Sequence, residues 1–250
     1  TILTVMPVCF GAAVWLLGSK RAELARPLAI ASAMISLVIV GRLWAGFDPL
    51  NPAMQAVERA EWIPSLSVYY HLGMDGMSLT LLALTCVVVL MSLAATTHTL
   101  ERPGLYYALV LFLQSGLFGT FTALNFFHWF LFWELSLVPA FFLIKLWGGP
   151  GRTGAAMQFF VYTMFGSITL LLAFVALFLA TGSFEFLELS NLARDGALIE
   201  LLPAKLGWTH LSGRSLMALL FLGVFLGFAV KVPLVPFHTW LPSTYSEASS

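Results

Sequence analysis

Charge is what this 250-residue sequence has least of: 12 Lys and Arg with 12 Asp and Glu make up 10% of the chain. An average soluble domain carries roughly 25%. With 60% hydrophobic residues, 22 Phe and 8 Trp among them, there is too little polar surface to face water. The formal net charge is zero, so nothing points to nucleic-acid binding, which wants a basic face. Cysteine is nearly missing. Cys9 and Cys86 lie in apolar runs and form no CxxC pair, so a disulfide framework is excluded and both read as small core residues. No helix-length run carries two histidines spaced to clamp a haem, and no Walker loop, GxGxxG or hydrolase signature is present. Long linkers, low-complexity tracts and short-period repeats are absent as well.

What the sequence has in abundance is long apolar runs. A bilayer core takes about 20 apolar residues as a helix, and seven stretches qualify: 1–18, 27–47, 77–97, 105–124, 126–147, 154–181 and 215–232. Together they hold four charges, Arg42, Glu134, Lys145 and Lys231. The expected fold is therefore an all-α polytopic membrane protein, with residues 1–250 as a single transmembrane domain. The first run has no basic start and no small-residue cleavage site, so it reads as a span and not as a signal peptide.

Positive residues in short loops set the orientation of such a chain. The loops at 19–26, 98–104 and 148–153 carry Lys20, Arg21, Arg26, Arg102 and Arg152. The opposite side has two long loops with Arg59, Arg194, Lys205 and Arg214 among eight acidic residues. This places the N-terminus outside, or lumenal, and the short basic loops in the cytoplasm. In the outer loop 48–76, alternating Ile63, Leu66, Val68 and Tyr70 ahead of Gly73 and Gly76 suggest a hairpin. The outer loop 182–214 reads as a surface helix and a turn. Tyr106, Tyr107 and the Trp residues near span ends fit an aromatic belt, and Arg42 an anchor at the end of its span.

Few residues remain that can carry chemistry. Glu134, in FLFWELSLVP, sits eight residues into its helix, where a charged group costs about 2.5–3.5 kcal/mol. Such a carboxyl is either neutral and kept for packing, or a protonatable group in a proton path; the second reading is preferred. Pro139, five residues on, frees the carbonyl of Leu135 beside it. Lys145 follows Glu134 by three helical turns, on the same face and about 16 Å away. It either snorkels to the basic side or extends the path. The last span ends in FLGFAVKVPLVPFHTWLP, whose prolines 233, 236 and 242 must break the helix near Lys231. Broken helices at membrane depth persist only inside protein or beside a polar cavity. A buried ammonium with a movable carboxylate partner is a switchable proton carrier, and Lys231 is assigned that role. His238, seven residues later, is a candidate relay near neutral pH or a hydrogen-bonded prop for the unwound segment. His128 reads as an interfacial residue. The chain stops at Ser250 in a polar stretch that looks unfinished.

WELSLVPAFFLIKLWGG, QFFVYTMFGS and FAVKVPLVPFHTWLP, in that order, resemble the antiporter-like membrane subunits of respiratory complex I. The subunit 4 type is closest, the M subunit of bacteria and the D subunit of cyanobacterial and plastid NAD(P)H dehydrogenases. The resemblance runs from about Leu72 onward. It implies the first half of a fourteen-helix fold with a broken seventh helix, in which Glu134 and Lys231 pair and separate as protons move. It implies membrane-arm subunits, neighbouring antiporter-like subunits and the lipid bilayer as partners. Cofactors are expected in partner subunits only, as quinone, Fe–S clusters and flavin or ferredoxin, and none in this chain. The expected location is a bacterial inner membrane or a cyanobacterial thylakoid. The sequence departs from the family at LPSTYSEASS: Ser243 and Tyr245 stand where an acid and a histidine are usual, while Glu247 is kept.

The leading expectation is a proton-translocating subunit of a complex I-like NAD(P)H or ferredoxin:quinone oxidoreductase, part of an enzyme but without a redox site of its own. The alternative is a subunit of a sodium or potassium/proton antiporter of the same fold. A non-conducting structural subunit is the third.

Overall fold

The computed structural model describes residues 1–66, 68–96, 101–208 and 210–248. Six helices among them are long and apolar enough to cross a membrane: α2 (Ala22–Ala45), α3 (Gly76–Ala95), α4 (Pro103–Thr122), α5 (Phe126–Trp147), α6 (Arg152–Thr181) and α9 (Gly213–Lys231). Helix α1 (Ile2–Gly18) has 17 residues, at the lower edge of the range that spans a bilayer. All seven expected spans are thus helices. The largest shift is at α2, which begins at Ala22 rather than Pro27. Its first turn is made of good helix formers, and Glu23 there complements the helix dipole. Part of the short basic loop expected at 98–104, and the chain end at Ser250, lie outside the described residues.

Polar residues at the span boundaries fix where helices start, since the first N–H groups of a helix need acceptors. Asp75 accepts from Ser78 N (2.8 Å) ahead of α3, Asn125 from Phe127 N (3.0 Å) ahead of α5, and Ser212 from Ser215 N (3.1 Å) ahead of α9. The hydrogen bond from Ser78 holds the Asp75 carboxyl below its ordinary range. The expected hairpin is present: β1 (Gln55–Ile63) pairs with β2 (Val68–Met74) in a two-stranded sheet.

The chain divides into two compact units. The first comprises Thr1–Arg59, His71–Ala123 and Leu131–Leu143. Between hydrocarbon tails, helices associate through close packing, which small residues permit. Here Gly18 of α1 meets Gly104 of α4 so closely that a Cβ on Gly18 would lie 2.7 Å from the Gly104 Cα. Val14, Ala29, Leu93, Tyr107 and Leu111 form one buried cluster, and Leu3, Val40, Leu82, Cys86 and Phe118 another. Two expectations are corrected. Tyr107 is 4% exposed and belongs to the core, not to an interfacial belt. Cys9 is exposed on α1, while Cys86 is buried as expected. Arg26 donates to the carbonyl oxygens of Leu93 (3.4 Å) and Ala94 (2.7 Å), which closes the end of α3.

The second unit comprises Ala60–Tyr70, Leu124–Phe130 and Ile144–Ser250. Its centre is the crossing of α6 and α9 at Gly166 and Gly227, where a Cβ on either glycine would meet a neighbouring atom at 2.8 Å. Stacked rings fill the space beside it, Phe126 on Phe174 (centroids 3.7 Å apart) and Phe178 on Phe184 (4.2 Å). The outer loop holds two helices, α7 (Phe186–Arg194) and α8 (Ala197–Leu206), where one helix and a turn were expected. Gly196, at φ +73°, separates them in a left-handed conformation that glycine adopts without strain. A last helix, α10 (Trp240–Glu247), follows the end of α9.

Candidate functional site

Helix α5 carries Glu134. Gly116 and Gly119 of α4 lie against Ser136 and Phe132 of α5; a Cβ on Gly116 would come within 3.0 Å of the Ser136 backbone. Glu134 is two residues from each of these contacts, about 200° around the helix. Its carboxyl therefore leaves α5 on the side away from α4. The side chain is half-buried and its Oε1 is shut off from solvent. Pro139 is buried within the same helix, and its missing N–H leaves the Leu135 carbonyl without a helical donor. Helix α5 runs unbroken to Trp147, and Lys145 is half-buried in its last turn.

Helix α9 ends at Lys231, and the break expected there is built from identifiable bonds. Val232 N donates to Phe228 O (2.8 Å), Leu234 N reaches back five residues to Ala229 O (2.8 Å), and Phe237 N donates to Leu234 O (2.6 Å). Pro233 and Pro236 have no N–H to give. The indole N–H of Trp240 donates to the Val230 carbonyl (2.9 Å), taking the place of a lost helical donor. Lys231 is half-buried at this end. A 3-10 turn, Phe237–Thr239, carries His238 into α10. The His238 Nδ1 is buried and has no hydrogen-bond partner among the described residues. Glu134 belongs to the first unit; Lys231, His238 and Lys145 belong to the second.

Three further polar residues meet the broken segment: Gln158 and Tyr162, which no sequence pattern singles out as site residues, and Glu247, noted in the sequence only as an acid the resemblance keeps. Gln158 of α6 donates to the Thr239 carbonyl (3.1 Å), and the Thr239 hydroxyl donates to the hydroxyl of Tyr162 (2.8 Å). Glu247 accepts from the backbone of the turn ahead of α6. The spacing of Gln158 and Tyr162, one helical turn apart in QFFVYT, was a readable signal that they share a face. Nothing local named what they face.

At the other end of α5, Asn125 caps the helix and its Nδ2 donates to Glu185 Oε1 (2.9 Å). His128, expected at an interface, is 2% exposed, with Tyr70 (ring centroids 4.6 Å apart) and Trp62 (5.9 Å) against it. Hairpin residues cover it, which no local pattern around His128 announces.

The family described as NADH:quinone oxidoreductase/Mrp antiporter, transmembrane, matches residues 123–250, the part that contains Glu134, Lys145, Lys231 and His238. The chain is 34% identical to NADH-quinone oxidoreductase subunit M of Rhodobacter capsulatus, over 99% of this chain and 48% of that protein. It is 33% identical to F(420)H(2) dehydrogenase subunit M of Methanosarcina mazei, again over 99% of this chain and 48% of the relative. Among solved structures, a chain of respiratory complex I from Thermus thermophilus with bound NADH superposes with a TM-score of 0.77. Its sequence is 27% identical, over 99% of this chain and 47% of that one. The chain thus spans about half the length of the curated relatives it matches.

Proposed function

Because this chain belongs to the NADH:quinone oxidoreductase/Mrp antiporter transmembrane family, we propose that it translocates protons in the membrane arm of a complex I-like NAD(P)H or ferredoxin:quinone oxidoreductase. It does so without carrying electrons. The observation that carries the reading is the pairing of types: a carboxyl inside an apolar helix, Glu134, and an ammonium at the end of a broken one, Lys231. A charge at membrane depth is expensive and marks ion pathways by default.

In the proposed cycle the Glu134 carboxylate serves as counter-charge to the Lys231 ammonium. While the two are close, the lysine keeps its proton. When the carboxylate withdraws, an isolated ammonium in low dielectric is costly, and Nζ passes its proton on. His238, seven residues on across the break, is the proposed acceptor, and Lys145 is a further candidate relay on α5. Quinone, Fe–S clusters and flavin or ferredoxin belong to partner subunits in this reading. The neighbouring membrane-arm subunits supply the movement that separates the pair. The N-terminus is proposed to lie on the outer or lumenal side of a bacterial inner membrane or a cyanobacterial thylakoid, with the short basic loops opposite.

The test is Glu134→Gln in the intact complex, with proton uptake into sealed vesicles measured beside donor-to-quinone electron transfer. Gln keeps the shape and removes the charge. Loss of pumping and of coupled electron transfer in an assembled complex supports the reading, and unchanged protons per electron sink it. The family description also covers Mrp antiporters, which favours a second reading, a subunit of a multi-subunit cation/proton antiporter. Proton movement that follows a sodium or potassium gradient with no electron donor present would select it.

A further inference from the structure

The segment beyond the break is fastened to α6 at both of its ends. At the front, Gln158 and Tyr162 hold Thr239, and Phe159 packs on Trp240 with ring centroids 5.3 Å apart. At the back, Glu247 grips the Gly148–Gly151 turn twice. Gly149 N–H donates to its backbone carbonyl (2.8 Å), and Gly151 N–H donates to its carboxylate Oε2 (2.7 Å). The turn is shaped to this grip. A Cβ at Gly148 would come within 2.5 Å of the Glu247 carbonyl oxygen, and one at Gly149 within 2.7 Å of Oε2. Gly151 is the cap residue of α6, a helix of 30 residues with no side-chain cap of its own. The Glu247 carboxylate therefore sits where helix N–H groups need an acceptor and where the helix dipole favours negative charge.

We infer that Glu247 is a positioning residue of the proton path: by clasping the Gly148–Gly151 turn it holds α10, and with it His238 and Thr239, on α6. The stretch Val232–Pro236 is then the short link between Lys231 and the far side of the break. Proton transfer needs donor and acceptor within hydrogen-bond reach, directly or through one water. A far side that drifts breaks that reach even with Lys231 and His238 intact. Glu247 acts here as a hydrogen-bond acceptor and carries no proton. The inference rests on the proton-path reading above.

The experiment is done on the intact complex in sealed vesicles, at equal amounts of assembled complex. Glu247→Ala is expected to lower protons pumped per electron about tenfold, since misplacing a reacting group by an ångström costs up to about a hundredfold. The solvent deuterium isotope effect on pumping should rise with it, as transfer across the break becomes limiting. Glu247→Gln keeps a side-chain acceptor for Gly151 N–H and should restore both readouts. Gly149→Val crowds the carboxylate without removing a titratable group and should reproduce the alanine result; it carries the comparison if Glu247→Ala does not assemble. Full pumping in Glu247→Ala overturns the inference. So does lost pumping in Glu247→Gln with normal pumping in Gly149→Val, which would make Glu247 a proton carrier. Glu134→Gln measured alongside separates the two claims. Pumping lost there but kept in Glu247→Ala overturns the clasp alone; pumping kept in Glu134→Gln overturns the proton path itself.

Discussion

At Lys231, one ammonium sits at the end of a helix whose continuation two prolines prevent. If it carries protons, its charge is insufficient and its ability to lose the charge is the point. Arg keeps its proton under all conditions in proteins. Lys231→Arg is therefore expected to assemble and yet to pump as poorly as Lys231→Met, both read as protons per electron in vesicles; an arginine variant that pumps normally would make the residue a fixed counter-charge. Lys231, Glu134 and His238 could be found from the sequence because each interrupts or ends an apolar run. The contacts made by Arg26, Gln158, Tyr162 and Glu247 could not. Their partners are backbone groups or hydroxyls far along the chain, 67 residues away for Arg26 and 96 for Glu247, and a hydrogen bond of that kind leaves no local pattern.

Each expected span corresponds to a helix, because twenty apolar residues in lipid have no other way to satisfy their backbone. Which helices touch is decided by where backbones can approach. The α6–α9 crossing depends on Gly227, where a Cβ would lie 2.8 Å from the Leu170 Cβ and 2.9 Å from the Gly166 carbonyl oxygen. Gly227→Val should push the helices apart and destabilise the protein by about 1–3 kcal/mol, the range for overpacking. The check is the thermal midpoint in detergent, against Gly41→Val on α2, where a Cβ meets nothing within 4 Å. In the outer loop 182–214 the sequence suggests one surface helix and a turn, and Gly196 at φ +73° divides the segment into two helices.

For the molecule in its membrane, the distribution of Lys and Arg over short loops predicts orientation. Exposed sites on the two sides are Lys20, after α1, and Leu50, ahead of the hairpin, the latter 90% exposed. In a variant with Cys9 and Cys86 replaced, a membrane-impermeant maleimide should label Lys20→Cys from the cytoplasmic side and Leu50→Cys from the opposite side. The reverse pattern would invert the proposed topology. Replacing Cys9 matters, since it is exposed on α1 and would react on its own account.

The sequence by itself determined the solvent, the number and place of the spans, the break after Lys231 and the few charges that fall within the spans. Each of these follows from hydropathy, from proline stereochemistry or from the cost of a charge in hydrocarbon. Tertiary structure alone decided which face of each span packs inward. In lipid, both the packed face and the outward face of a helix are apolar, so periodicity cannot tell them apart. That is why Cys9 turned out exposed and Tyr107 buried. For the same reason the hold of α6 on the broken segment, through Gln158, Tyr162 and the Glu247 clasp, had to be seen in three dimensions.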